Sequence, residues 1–289
     1  MLVAPESMAQ RTPVPGRDLL SYPLGLTAEP GALPGILGLG LRNPAASLLP
    51  DSGRWQLAAG SMQTPGDVGA SAQMMGASGR WRGATVSVSL VRAGVDGLVR
   101  TETDPLTRED DIPYNTTVTS LSLSMPAGQH LAWGVALRLH SGRIDATSRM
   151  RLGADAGIVA SHLTPFDARV GASTFLFSPG ASAGEPPTWL VAGDARLVGH
   201  SDSRELRLGA SAEATANRPS EQFAFASMRV GVLEVRGGPV RTVAYGEQNI
   251  RSRLAVAIHY GGYAVGLSRE DSPSGIAPGY QFIIRSLLR

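Results

Sequence analysis

From Arg54 onward the chain alternates, residue by residue, between apolar side chains and small or polar ones. Each stretch runs about nine to twelve residues, the length a tilted strand needs to cross a bilayer. Between His130 and His140, Leu131, Trp133, Val135, Leu137 and Leu139 share one face, and His130, Ala132, Gly134, Ala136, Arg138 and His140 share the other. Successive side chains of a strand point to opposite faces, so this spacing predicts a strand with one oily face. The same sense recurs: Val86, Val88 and Leu90 oppose Thr85, Ser87 and Ser89, and Leu121, Leu123 and Met125 oppose Ser120, Ser122 and Ser124. Leu152, Ala154, Ala156 and Ile158 oppose Gly153, Asp155 and Gly157, and Tyr280, Phe282 and Ile284 oppose Gln281 and Arg285. Helical periodicity never takes over.

A soluble sandwich also alternates, and the connections separate the two architectures. Short turns are expected at Ser78-Gly79-Arg80, Ala127-Gly128-Gln129, Ser161-His162-Leu163, Gly199-His200-Ser201, Gly237-Gly238 and Gly261-Gly262. The intervening connections read longer and more polar: Gly94 to Tyr114, Arg143 to Ser148, Ser178 to Pro187, Ala216 to Gln222 and Arg269 to Gly279. Such alternation of brief turns with larger loops is the asymmetry of a bacterial outer-membrane barrel. The expected fold is all-β, a closed antiparallel transmembrane β-barrel of about fourteen strands over residues 54–289. Its lumen is expected to receive Arg138, Asp155, Asp194, Arg196, Arg207, Glu213 and Arg253, with His130, His140 and His259, because charge on the lipid face is costly.

Composition agrees. Charged residues make up 17% of the chain, against roughly 25% in soluble domains. No run of about 18 apolar residues exists, which excludes a membrane-spanning helix but not a strand. All 26 basic residues are arginine, and the net charge of +2 gives no basis for a nucleic-acid partner. The absence of cysteine removes disulfides and thiolate chemistry.

The first residues differ. Leu2 to Gln10 ends in a Ser-x-Ala that suits signal peptidase, so residues 1–10 read as the tail of an export signal cut after Ala9. In residues 11–53, Pro13, Pro15, Pro23, Pro30, Pro34, Pro44 and Pro50 break regular elements, while Leu19, Leu20, Leu24, Leu26, Leu33, Ile36, Leu37, Leu39 and Leu41 demand burial. The barrel lumen, with this segment as a plug, meets both demands.

A proline-broken segment carrying Asn43-Pro44-Ala45 just before about fourteen alternating strands resembles the FadL-type outer-membrane barrels, in particular their PorV/PorQ-like branch. The resemblance implies a hatch closing a barrel through which hydrophobic compounds pass, or, in the PorV/PorQ-like branch, a role in type IX protein secretion and surface attachment. It implies hatch roles for Asn43, Pro44 and Ala45, with Asn43 tying the hatch to the wall; an Asx-Pro turn is the other reading of Asn43. A passive anchoring barrel, its outer loops binding a protein, is the alternative function. The implied partners are outer-membrane lipid and lipopolysaccharide, and a hydrophobic small molecule or a secreted or surface protein.

Enzyme chemistry finds little footing. Gly180-Ala181-Ser182-Ala183-Gly184 matches a serine-hydrolase elbow but sits among Pro and Gly, with no helix to follow it. Gly38-Leu39-Gly40 lacks the third glycine of a dinucleotide fingerprint. His130, His140, His162, His200 and His259 are scattered without metal-ligand spacing, so neither metal nor cofactor is expected. Asp96, Glu102, Asp104, Glu109, Asp110 and Asp111 make one long loop acidic, a candidate outer surface for a partner. Trp81, Trp133, Trp189, Tyr114, Phe166, Tyr260, Tyr263 and Tyr280 lie near expected strand ends, where aromatic girdles form, Trp133 being the furthest inside.

Overall fold

The computed structural model describes residues 14–20, 29–49, 53–64, 69–99, 111–177, 186–201, 204–215, 218–244, 247–271 and 278–288. Its strands are β1 (Trp55–Gln63), β2 (Ala70–Trp81), β3 (Ala84–Val95), β4 (Tyr114–Ala127), β5 (Leu131–Ile144), β6 (Thr147–Leu163) and β7 (Ala168–Phe175), continuing with β8 (Thr188–Ser201), β9 (Arg204–Thr215), β10 (Arg218–Val230), β11 (Leu233–Ala244), β12 (Glu247–Tyr260), β13 (Tyr263–Glu270) and β14 (Gly279–Leu288). Each pairs antiparallel with the next, and β1 pairs with β14 from Trp55↔Leu288 to Gln63↔Tyr280, so the sheet closes into a barrel of 14 strands. Closure leaves no row of unpaired backbone groups at an edge, which hydrocarbon does not tolerate.

The alternation read from the residues decides the faces. In β5, Leu131, Trp133, Val135, Leu137 and Leu139 are exposed, while Ala132, Ala136, Arg138 and His140 are buried. In β12, Leu254, Val256 and Ile258 are exposed against buried Arg253, Ala255 and Ala257. Repeated around the ring, this is an outward apolar belt far larger than a water-soluble surface carries. A closed barrel with such a belt is a bacterial outer-membrane barrel. At the end where β1 begins and β14 stops, Trp55, Trp81, Phe166, Tyr260 and Tyr263 are exposed as an aromatic rim. Trp133 belongs to that rim, because β5 starts two residues before it. Tyr114 does not join a girdle: its hydroxyl donates to Asp18 Oδ1 at 2.6 Å.

Several expected turns lie inside strands. Ser78, Gly79 and Arg80 continue β2, and the chain reverses at Arg82-Gly83, both with positive φ. Gly237 and Gly238 sit within β11 opposite Leu254 and Arg253, and the turn falls at Gly231-Val232. Ser161–Leu163 and Gly199–Ser201 are the last residues of β6 and β8. Of the longer connections, Arg143 to Ser148 shrinks to Asp145-Ala146, and residues 216–217 alone join β9 to β10. At Ser78–Arg80, Ser161–Leu163 and Gly199–Ser201 the strands continue past the hydrocarbon, where nothing enforces apolar alternation; Gly237 and Gly238 instead lie in mid-strand, where a Cβ at Gly238 would collide with the Ala224 carbonyl of β10.

The hydrophobic core lies inside the ring. Leu33, Ile36, Leu37, Leu39 and Leu41 of the N-terminal segment cluster with Met74 of β2, Val91 of β3, Val118 of β4, Phe175 of β7, Leu190 of β8, Ala257 of β12 and Ile283 of β14. Proline spacing permits two short 3-10 turns here, Arg17–Leu20 and Pro44–Ser47. Close approach of this segment requires small wall residues: a Cβ at Gly157 would collide with Asn43 Oδ1, and one at Gly171 with the Ala32 carbonyl.

Candidate functional site

Asn43 does two jobs. Its Oδ1 accepts from Ala45 N at 3.0 Å, capping the Pro44–Ser47 turn, and its Nδ2 donates to Ala32 O at 2.7 Å and to Ile158 O of β6 at 3.1 Å. Pro44 and Ala45 are buried beside it, and Ser124 of β4 donates to Ala45 O at 3.2 Å. Further ties spread around the ring. Gln56 of β1 donates to Leu37 O at 2.6 Å, Arg80 of β2 to Leu49 O at 3.0 Å, and Ser173 of β7 to Arg42 O at 3.0 Å. Arg17 reaches Pro186 O and Thr188 Oγ1 at the long-loop end. Between segment and wall, a cavity beside Glu29, Leu39, Asn43 and Met74 measures about 50 Å³. That is room for water, not for an organic molecule. Burial pushes the Glu29 carboxyl up to about 7, against the pull of Arg236 and of the Ile36 N–H that it accepts.

The charged residues expected in the lumen are inward and paired. Arg138 and Asp155 form a buried ion pair, with Arg138 also donating to Ser120 Oγ at 2.8 Å and stacking 4.8 Å from the Phe175 ring centre. Asp194 joins Arg169 and Arg207, and Arg196 joins Glu205 and Asp167 in the same network. Glu213 meets Arg42 of the N-terminal segment, Arg253 bridges Glu221 and Glu270, and His259 meets Glu234 at 2.9 Å. His140 contacts Thr116 Oγ1 at 2.8 Å. His130 departs from the expectation: it sits exposed in the turn before β5, Nδ1 to Ser161 O at 3.2 Å, because β5 starts one residue after it. Asp96 and Asp111 flank the long loop near the Val99↔Asp111 bridge, whereas Glu102, Asp104, Glu109 and Asp110 lie outside the described residues. Residues 1–10 and the Gly180–Gly184 motif lie outside them as well. Among the described residues, no group of three or more acidic or histidine side chains is placed to hold a metal.

Periodicity gave no sign of an interruption in the wall. Strands β6 and β7 pair from Leu163↔Ala168 to Gly157↔Ser173, and there the ladder ends. Beyond it, Ala156 N donates to the Thr174 side chain at 3.1 Å instead of to a backbone carbonyl. Phe177 N donates to Asp155 Oδ1 at 3.0 Å, and Ala154 N to Phe177 O at 2.7 Å. Leu176 takes φ 56°, a left-handed turn that costs an L-residue about 1–2 kcal/mol. It buries Phe175 and Leu176 inward and leaves Phe177 exposed. Outside the seam lies an apolar groove of about 660 Å³ lined by Leu121, Val135, Leu137, Ala154, Ala156, Phe177 and Trp189, with inward-facing Asp155 at its floor. In sequence, the shortness of the stretch before Phe177 was the available signal, and the proline- and glycine-rich run after it obscured that signal.

Comparison with known proteins bears on the fold. No family model matches the sequence, and no curated protein is significantly similar to it. Among solved structures, the Pseudomonas putida toluene transporter TodX superimposes with a TM-score of 0.58 at 10% identity, over 90% of this chain and 96% of that one. The CymD monoaromatic hydrocarbon channel gives 0.60 at 12% identity, over 96% and 98%. TodX and CymD are FadL-type barrels. The Acinetobacter baumannii outer membrane protein Omp33 gives 0.50 at 7% identity, over 82% and 98%. At such identities the likeness is one of fold, and nothing in these three extends the resemblance to the PorV/PorQ-like branch.

Proposed function

We propose that this outer-membrane barrel admits small apolar molecules, with residues 14–20 and 29–49 as a hatch across the lumen and the β6–β7 seam as a side passage between lumen and bilayer. The observation that carries the reading is the interrupted seam: the backbone ladder stops where an apolar groove reaches inward to Asp155. A straight aqueous path is blocked by the apolar cluster and its ties to the wall. An apolar solute that enters at the outer end therefore gains most by leaving sideways into hydrocarbon. Two proteins of similar fold, a toluene transporter and a monoaromatic hydrocarbon channel, agree with this cargo class. Asn43, with Pro44 and Ala45, holds the hatch at β6, next to the seam.

Uptake into cells lacking their own hydrocarbon channels tests the proposal. Producing the barrel should accelerate entry of toluene-sized hydrocarbons without raising permeability to sugars of the same size. Equal permeability to both, or no gain for hydrocarbons, would overturn it.

A further inference from the structure

The outward face carries a second feature, unrelated to passage. The long loop Asp96–Pro113 leaves the ring at the end opposite the chain-terminal rim, which makes that end the outer one. There the lipid-facing rows of β2 to β5 turn polar. Above Val88 and Leu90 on β3 comes Arg92, above Met75 on β2 comes Gln73, and above Leu121 on β4 come Thr117 and Asn115. The register aligns Arg92 with Gln73 and Thr117, and Asn115 with Arg143 of β5. Strand spacing sets the two arginines about 12 Å apart around Thr117 and Asn115. Ser71, Gln73, Arg92 and Asn115 line a polar notch of about 340 Å³, with Asp96 at its loop side.

The two arginines of this rim have no ion pair among the described residues. Arg269, outward on β13, is paired with Asp271 at 3.0 Å, whereas Arg241 on β11 meets only a neutral partner, Gln222 Oε1 at 3.1 Å. Arg143 donates to a neutral acceptor, the Asp145 carbonyl, at 3.0 Å, and Arg92 has no partner among the described residues. A cation just above an apolar belt lies at headgroup depth, where its natural counter-charge is a lipid phosphate.

We propose that the outer rim of β2–β5 is a binding site for the phosphate headgroup of lipopolysaccharide, with Arg92 and Arg143 as its two cations, Gln73, Thr117 and Asn115 as neutral hydrogen-bonding partners, and the acyl chains lying along Val88, Leu90 and Leu121. The headgroup contacts are separate from the seam, whose groove is shared only at its edge through Leu121, and lipid retention does not read uptake, so the site stands or falls without the transport proposal. Asp96 at the loop side suits the divalent cation that accompanies such phosphates.

Lipid A retained by the detergent-purified barrel, measured by native mass spectrometry, tests the site. Wild type should retain bisphosphorylated lipid A, and Arg92→Gln with Arg143→Gln should lower retention about fivefold per arginine removed. Arg269→Gln should leave it unchanged, and heat-modifiable mobility should report an intact barrel throughout. Arg92→Gln alone removes a side chain without a described partner and keeps the test valid if the double variant misfolds. The proposal is overturned if these variants retain lipid A as wild type does, if lipid A stripped of phosphate is retained equally, or if phosphatidylglycerol displaces it at equal concentration.

Discussion

Strand β6 has two different neighbours. Toward β5 its ladder is unbroken from Leu131↔Ala160 to Ile144↔Thr147, with apolar residues outward and Asp155 reaching Arg138 inward. Toward β7 the ladder stops at Gly157↔Ser173, and side chains take over: Thr174 and Asp155 accept the backbone N–H groups that a neighbouring strand would have paired. In hydrocarbon an open backbone edge is prohibitive. A barrel can interrupt its wall where polar side chains close the hydrogen bonds. Asp155 serves both seams, neutralising a buried arginine on one and capping a bent strand on the other.

Removing that carboxylate should therefore have the largest effect. Asp155→Ala leaves Arg138 buried and uncompensated, and breaking such a pair costs about 3–5 kcal/mol. Urea unfolding in lipid should show that loss, and hydrogen exchange should rise at Phe177 well before it rises along β4–β5. Equal loosening of both seams would contradict a separate role for Asp155 at each.

Glu29 asks whether the inner segment responds separately from the wall. Its carboxyl is raised from 4.5 to about 7 by burial, so the folded protein favours its neutral form. The contribution is complete below about pH 4.5 and is lost as pH rises through about 7. At most about 3 kcal/mol is involved. Glu29→Gln should flatten that dependence and raise stability at pH 8, with exchange changing in residues 29–49 while the β5–β6 ladder stays protected.

A smaller effect is expected at Asn43. Asn43→Ala removes its bonds to Ala32, Ala45 and Ile158 and should cost about 1–3 kcal/mol. Exchange should rise in residues 29–49 and leave the β6–β7 pattern as it is. A change at Phe177 instead would tie this inner segment and the seam together.

Much of this wall was legible beforehand, because a lipid-facing residue at every second position leaves a period of two in any sequence. Leu131 to Leu139 and Leu254 to Ile258 are examples. Turn positions were not legible: Ser78–Arg80 looks like a turn yet continues β2 where the wall meets the inner segment, and Gly237-Gly238 looks like one yet lies in the middle of β11. The inward charges were recognisable singly. Their partners Glu221, Glu234 and Glu270 were not, since pairing depends on register between strands far apart in the chain. The seam was hidden for the same reason. Nothing local to Thr174 says that its hydroxyl replaces a carbonyl for Ala156.

Filling the groove outside the β6–β7 seam tests whether apolar cargo passes there. Hydrocarbon uptake by cells producing Ala154→Trp should fall about tenfold, a barrier change of about 1.4 kcal/mol, with heat-modifiable mobility intact. Ala210→Trp, on the lipid face of β9 away from the groove, should leave uptake unchanged. Uptake that survives Ala154→Trp, or falls equally in both variants, would contradict a passage at this seam.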